Sequence, residues 1–182
     1  MKQLGLMIDL KRCIGCKTCI VACRNHYELI DNSNAMPNEL PYYLRVAKEV
    51  SGKFPNLSQR TYVIPCQHCK EPECMAHCKF GAISKDEETG IVRIDDDKCK
   101  GCTMCVKNCP YKVVQYNKER RKAHKCTLCY SRIVTGETTV CTETCLTDAI
   151  SFGEVDLLKQ KAHDEGRKIA DDISKESILY IE

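Results

Sequence analysis

The spacing that decides the fold lies in residues 99–110, which read CKGCTMCVKNCP. The four cysteines follow the pattern C-x2-C-x2-C-x3-C, and Pro110 comes directly after the last of them. Residues 13–23, CIGCKTCIVAC, repeat the same spacing. Three thiols on so tight a loop can face one common centre, whereas the fourth opens a helical turn that points away from it. The pattern therefore predicts paired sites that exchange their fourth ligand.

All sixteen cysteines of the 182-residue chain belong to four groups of four. Groups two and four keep the outer spacings of the two runs above and lengthen the middle. Because C-x2-C-x2-C-x3-C followed by Pro is the bacterial ferredoxin spacing, we predict four [4Fe-4S] clusters as cofactors, with the cysteines as iron ligands. Group one is Cys13, Cys16, Cys19 and Cys23; group two is Cys66, Cys69, Cys74 and Cys78; group three is Cys99, Cys102, Cys105 and Cys109; group four is Cys126, Cys129, Cys141 and Cys145.

Zinc and disulfides are the alternatives to iron–sulfur clusters. Repeated C-x2-C pairs and the lack of a visible secretory signal argue against disulfides. Zinc is the stronger rival because C-x2-C also builds zinc knuckles, although tetrahedral zinc sites generally use two separated pairs. The zinc alternative would make the chain an interaction scaffold without a redox role.

Internal repeats indicate how the groups combine. At an offset of 86 residues, group one and Gly15 match group three and Gly101, and each run follows a short apolar strand. Residues 80–94 read as a ferredoxin-type hairpin, which makes groups two and three one contiguous module. Groups one and four are left to form a second module, with strands at 4–8 and 149–152.

We therefore predict an α+β fold of two bacterial-ferredoxin-like modules with two [4Fe-4S] clusters each. Module A comprises residues 1–23 and 110–153, and module B comprises residues 66–109. Residues 24–65 are expected to be a loop-rich insertion, with a strand only at 62–65. Residues 154–182 are expected to be a C-terminal helical tail that ends in a strand or plug.

The exchange of the fourth ligand predicts the cluster ligands. The rival scheme pairs group one with two and group three with four. Under our pairing, cluster 1 is held by Cys13, Cys16, Cys19 and Cys145; cluster 2 by Cys23, Cys126, Cys129 and Cys141; cluster 3 by Cys66, Cys69, Cys74 and Cys109; cluster 4 by Cys78, Cys99, Cys102 and Cys105.

Other polar residues near the cysteines have simpler interpretations. We expect the histidines at 26, 68, 77 and 124 to be neighbours of the sites or solvated, because sixteen thiols already supply four clusters. Residues 118–125 are basic and by default a solvated loop. The alternative is that this run offsets cluster charge or docks an acidic partner.

Composition excludes several classes of protein. Without the sixteen cysteines the apolar content is low for this length, which disfavours an ordinary enzyme domain with its own large pocket. The formal charge of +3 becomes about −5 with four clusters at about −2 each, and no nucleic-acid motif is present. Because neither a signal peptide nor a transmembrane segment is visible, we expect a cytoplasmic protein, or one exported together with a signal-bearing catalytic subunit.

The four groups, together with the stretch Cys126-Thr127-Leu128-Cys129-Tyr130-Ser131-Arg132-Ile133 and Gly136, resemble the four-cluster electron-transfer subunits of the dimethyl sulfoxide reductase family. The resemblance implies a non-catalytic subunit that relays single electrons in anaerobic respiration. It implies a large molybdenum or tungsten pterin catalytic subunit as partner, and a quinone-reactive membrane subunit or another redox protein as a further one. Lys79 and Leu146 stand where relatives often have Pro. A polyferredoxin subunit of a hydrogenase or formate complex is the alternative.

Overall fold

A computed structural model of the chain describes residues 2–29 and 42–182. Most elements are strands of a few residues or single helical turns, separated by the cysteine loops. The strands are β1 (Leu4–Asp9), β2 (Arg45–Lys53), β3 (Asn56–Ile64), β4 (Ile83–Lys85), β5 (Val92–Ile94), β6 (Gln115–Asn117), β7 (Lys122–His124), β8 (Ile150–Glu154) and β9 (Ile178–Ile181). The helices are α1 (Thr18–His26), α2 (Glu73–Ala76), α3 (Met104–Lys107), α4 (Tyr130–Ile133), α5 (Val140–Glu143) and α6 (Val155–Asp164).

A three-stranded sheet in the order β8-β1-β9 forms the largest core. β1 pairs with β8 in antiparallel fashion, with Ile8 opposite Ile150, and with β9 in parallel fashion, with Ile8 opposite Tyr180. Ile8 is fully buried because both neighbouring strands and the core cluster cover it. The pairing joins the two strands that the sequence predicted for groups one and four.

Two short hairpins lie near groups two, three and four. β4 pairs with β5 so that Ile83 faces Ile94, which is the hairpin predicted between groups two and three. β6 pairs with β7 across a turn of exposed basic residues. The basic run is therefore part of a hairpin rather than a loop.

The insertion is less loop-rich than the sequence predicted. Residues 45–64 form a long antiparallel hairpin, β2–β3, turning at Phe54-Pro55, and the expected strand at 62–65 is only the end of β3. The outer part of both strands is exposed, so it lacks the apolar alternation that marks a half-buried strand. Residues 30–41, which also belong to the insertion, lie outside the described residues.

The prediction of a helical tail is wrong beyond Asp164. α6 ends there, and Ile169, which has helical spacing in the sequence, forms an isolated bridge with Ile181. β9 is buried along its whole length because it adds to the central sheet. Within residues 2–29 and 42–182, none of the helices has the length and apolar character needed to cross a membrane.

Candidate iron–sulfur sites

Two loops, the first repeat loop (residues 9–19) and the second repeat loop (residues 95–105), share their backbone hydrogen bonds. In each, the Oδ1 atom of the leading aspartate, Asp9 or Asp95, accepts bonds from the amides two and three residues further on. The carbonyl of the same aspartate accepts a 3.0 Å bond from the amide of the first cysteine, Cys13 or Cys99. The sequence repeat is therefore also a repeat of turn geometry, because Asp favours such local side-chain bonds.

Each repeat loop also requires a glycine. Gly15 and Gly101 have φ angles of 68° and 67°, a left-handed conformation that L side chains rarely adopt. Lys17 and Thr103 follow in the same conformation, directly before α1 and α3. These reversals bring the three cysteines of each loop around one cavity, whereas the fourth cysteine, on α1 or just after α3, does not line it.

Twelve of the sixteen cysteines line three cavities, with four thiols in each. The cavities enclose about 340, 330 and 320 Å³ of empty space, part of it open to solvent. Their other walls are mostly apolar, including Val63 and Ile150 in one and Val92 in another. The first is lined by Cys13, Cys16, Cys19 and Cys145; the second by Cys78, Cys99, Cys102 and Cys105; the third by Cys66, Cys69, Cys74 and Cys109.

The remaining four cysteines are Cys23, Cys126, Cys129 and Cys141, and all of them are buried. Burial raises the pKa of the Cys23 thiol, and the charges of the other three raise it further. The amide of Val140, the residue before Cys141, donates to Cys129 Sγ at 3.5 Å. α1, which carries Cys23, packs against α5, which carries Cys141, and this pair brings groups one and four together. α2, which carries Cys74, packs against α3, which carries Cys105, and this pair brings the third and second cavities side by side.

The donor sets fit iron–sulfur clusters. A [4Fe-4S] cluster takes four cysteine thiolates, and each of the three cavities offers four thiols around a space with apolar walls. The sets that the structure brings together have the composition of the predicted clusters. Ligation of iron by these thiols stays a prediction.

A further sequence repeat, at an offset of 67 residues, matches Cys78 and Ala82 with Cys145 and Ala149. In both copies a backbone amide donates a hydrogen bond to cysteine sulfur. The Ala82 amide donates to Cys78 Sγ at 3.3 Å, and the Ala149 amide donates to Cys145 Sγ at 3.2 Å. Hydrogen bonds to ligand sulfur stabilise added negative charge there and so help to set the potential of a bound cluster.

Burial raises the pKa of eight of the sixteen thiols in the absence of metal. It raises the pKa of Cys19 to about 12, and the neighbouring thiol charges add to that increase. Cys16 is shifted in the opposite direction, because hydrogen bonds from the Thr18 side chain and amide lower its pKa. Because iron binds thiolate, cluster assembly at the buried cysteines has to release protons.

The histidines near the cysteines differ in environment. His26 is exposed; His77 is half-buried, and its Nδ1 lies 2.9 Å from the Glu73 carbonyl. Burial lowers the pKa of His124 to about 4. His68 is fully buried, and its Nδ1 accepts a hydrogen bond from the Val92 amide at 3.1 Å.

Sequence reasoning missed the position of Lys125. This residue ends the basic run, yet it is only 2% exposed, and its Nζ bonds the carbonyl oxygens of Val92 and Cys126. The expectation of a solvated loop is therefore wrong at this residue. Its place directly before Cys126 was the one signal in the sequence.

A family model described as a 4Fe-4S dicluster domain matches residues 60–155, just over half of the chain. The chain belongs to this family. It is 34% identical to the B subunit of the anaerobic dimethyl sulfoxide reductase of Escherichia coli K12 over 170 residues, which cover 89% of this chain and 78% of that protein. It is 35% identical to YnfG, a probable anaerobic dimethyl sulfoxide reductase subunit of the same strain, over 167 residues, or 87% and 77%.

A more local similarity links the protein to the beta subunit of respiratory nitrate reductase 2 of Escherichia coli K12. The two are 48% identical over 99 residues, which cover 54% of this chain but 19% of that protein. The resemblance to the iron–sulfur subunits of the dimethyl sulfoxide reductase family is thus confirmed. The fold is a ferredoxin-like mixture of helices and strands, the cofactor is the [4Fe-4S] cluster, and the sixteen cysteines fit four of them.

Proposed function

We propose that this chain is the electron-transfer subunit of a reductase complex and makes or breaks no substrate bond itself. A bound [4Fe-4S] cluster takes up and gives back one electron at a time. The observation that carries the proposal is that cysteines distant in sequence assemble into sets of four. The sets are the four ligand sets given above as clusters 1 to 4, and we name them sites 1 to 4 accordingly.

The division into two modules is part of this proposal. Sites 3 and 4 draw every ligand from residues 66–109, which form module B. Sites 1 and 2 draw theirs from residues 13–23 and 126–145, within module A as predicted. The pairing of β1 with β8 supports module A because it ties these two segments together.

The cysteines of successive sites lie close enough to form a row. Cys19 of site 1 and Cys141 of site 2 belong to one buried core cluster, and Cys66 of site 3 and Cys126 of site 2 belong to another. Sites 3 and 4 adjoin through the packing of α2 on α3. The order 1-2-3-4 follows.

Exposure supports the assignment of sites 1 and 4 as the ends of the row. Cys16 of site 1 and Cys102 of site 4 are exposed, whereas every cysteine of site 2 is buried. Ile14 and Leu146, beside site 1, are 66% and 71% exposed, and Phe80, beside site 4, is 47% exposed. Apolar side chains around an open thiol suit a docked redox partner at each end.

The partner that this function needs is a large molybdenum or tungsten pterin catalytic subunit. The similarity over most of the chain to a protein named as one subunit of a reductase supports it. A quinone-reactive membrane subunit, or another redox protein, would exchange electrons at the opposite end. The chain would then work in the cytoplasm or be exported together with its catalytic subunit.

Elemental analysis of the complex, purified anaerobically through this chain from its native cells, tests the proposal. We expect about sixteen iron atoms per chain together with molybdenum or tungsten. Iron with nickel would assign the chain to a hydrogenase instead. About four zinc atoms per chain with little iron would end the electron-transfer interpretation.

A cysteine variant tests the exchange of ligands. In Cys145→Ser, the electron paramagnetic resonance signal that changes should be the one that changes in Cys16→Ser, despite the distance in sequence. Cys129→Ser is the matched control, because it should alter a different signal. If Cys145→Ser and Cys129→Ser alter the same signal, the pairing is wrong.

A further inference from the structure

Lys125 is a buried cation without an acidic partner in the part of the chain that the structure describes. Its Nζ bonds only the carbonyl oxygens of Val92 and, at 3.1 Å, Cys126. A buried ammonium normally needs an anion nearby, because carbonyl dipoles alone replace its lost hydration incompletely. An anion held by the neighbouring groups would supply the partner that Lys125 lacks.

The neighbouring groups are cysteines of two different sites. Lys125 directly precedes Cys126 of site 2. Val92, whose carbonyl accepts the bond from Lys125, lines the cavity of site 3. Val92, Cys66 of site 3 and Cys126 of site 2 belong to one buried core cluster, so Lys125 lies where sites 2 and 3 approach each other.

Val92 connects Lys125 to a second buried polar group. Its carbonyl accepts the bond from Lys125, and its amide donates to Nδ1 of His68. Because Nδ1 accepts, the proton of His68 is on Nε2, and no atom of the described residues accepts a hydrogen bond from that nitrogen. Lys125 Nζ and His68 Nε2 are thus two buried donors connected through Val92, and each can bind negative charge that the described protein atoms do not supply.

We infer that Lys125 is a countercharge shared by sites 2 and 3, which raises the reduction potential at both. The inference rests on the proposed function. A fixed positive charge stabilises the reduced, more negative state of a cluster, and the effect persists here because little water screens it. Lys125 belongs to module A and Val92 to module B, so the Lys125 side chain forms a hydrogen bond from one module to the other.

The test is a potentiometric titration of the intact complex, followed by electron paramagnetic resonance, for wild type and Lys125→Met. Signals are assigned to sites with the cysteine variants described above. We expect the clusters of sites 2 and 3 to become reduced only at lower potentials in Lys125→Met than in wild type. At a fixed potential, the ratio of reduced to oxidised cluster should fall about tenfold at each, which corresponds to about 59 mV.

Lys122→Met is the matched control. Its Nζ also bonds two carbonyl oxygens, those of Asp96 and Cys99, but this lysine is half-buried and beside site 4. We expect sites 2 and 3 to keep their potentials in this variant. Full iron content with unchanged potentials in Lys125→Met would overturn the inference, and so would an equal shift at all four sites.

Lys125→Arg separates charge from packing. It should retain the wild-type potentials, and a shift as large as that of Lys125→Met would contradict the inference. If Lys125→Met loses iron, the iron contents of the two variants are compared instead. Loss of the clusters of sites 2 and 3 in Lys125→Met but not in Lys125→Arg would support a required charge. Equal loss in both variants would contradict it. Wild-type complex without iron would instead remove the proposed function itself.

Discussion

The two repeat loops have the same turn but different surroundings. Asp9 and Asp95 form the same hydrogen bonds to their loops, yet Asp95 is far more open to solvent, whereas Asp9 is buried and has Arg167 Nη2 2.8 Å from its Oδ1. Burial opposes ionisation of Asp9, but Arg167 and the loop amides outweigh it and lower the pKa of Asp9. Local sequence thus determines the loop, and distant segments determine what encloses it.

The largest expected difference comes from the enclosing strand β9, since within residues 2–29 and 42–182 the strand β5 pairs with β4 alone. Tyr180 is 1% exposed and donates a 2.8 Å hydrogen bond to the Val63 carbonyl. Tyr180→Ala should destabilise the protein by about 3–5 kcal/mol, as for other buried aromatic residues. Iron retained per chain during an anaerobic urea titration measures this, and about half of the iron should be lost early.

Tyr116→Ala is the control for this prediction, because Tyr116 is 36% exposed on β6. It should lower the free energy of unfolding by less than about 1 kcal/mol. An equal effect of the two variants would mean that β9 does not distinguish the two loops.

The glycines of the two loops should also differ in their tolerance of a methyl group. A Cβ at Gly101 would lie 2.2 Å from the backbone carbonyl oxygen of Arg121, whereas a Cβ at Gly15 would lie 2.5 Å from the Thr61 methyl group. A side chain can adjust more easily than a backbone carbonyl oxygen. Gly101→Ala should therefore cost about 3 kcal/mol and Gly15→Ala about 2 kcal/mol, of which about 1–2 is left-handed strain in each.

Gly136 provides a measure of that strain alone, since it has a φ of 82° and no atom of the described residues lies within 4 Å of an added Cβ. Gly136→Ala should cost only about 1 kcal/mol in the same urea titration. If Gly15→Ala proves more harmful than Gly101→Ala, the environment of the first repeat loop is more rigid than its contacts indicate.

The smallest expected difference concerns the partners of the two aspartates. Arg167→Met removes the nearer of two cations from the buried carboxylate of Asp9 and leaves Arg12 Nε 3.9 Å away, which should cost about 1–3 kcal/mol. Lys98→Met removes an exposed partner 3.5 Å from Asp95 and should cost less than about 0.5 kcal/mol. Urea midpoints at neutral pH measure both, and equal values would show that burial of Asp9 contributes nothing.

The repeat explains which features the sequence predicted well. Cysteine spacing and Gly15 or Gly101 act within a dozen residues, so the loops and the hairpin from Ile83 to Ile94 follow from local patterns. The strand pairing of groups one and four was also predictable, because the apolar stretches flank the cysteines. The assignment of ligands to iron stays a prediction.

The features that the sequence did not predict depend on distant contacts. β9 reads as one more apolar stretch, and only the free edge of β1 makes it a parallel strand. The hairpin β2–β3 is exposed over much of its length, so its apolar pattern is weak. Lys125 lies in a basic run that resembles a solvated loop, and its burial depends on Val92, 33 residues away.

The position of β1 between β8 and β9 also sets a timetable for synthesis. In the proposed ligand sets, residues 66–109 supply every cysteine of sites 3 and 4, which would therefore form early, whereas Cys13 would wait until Cys145 emerges 132 residues later. At about 5–20 residues per second this interval is on the order of ten seconds. With these ligands, the thiols of site 1 would be the longest exposed to oxidants and stray metals during translation, although they are made first.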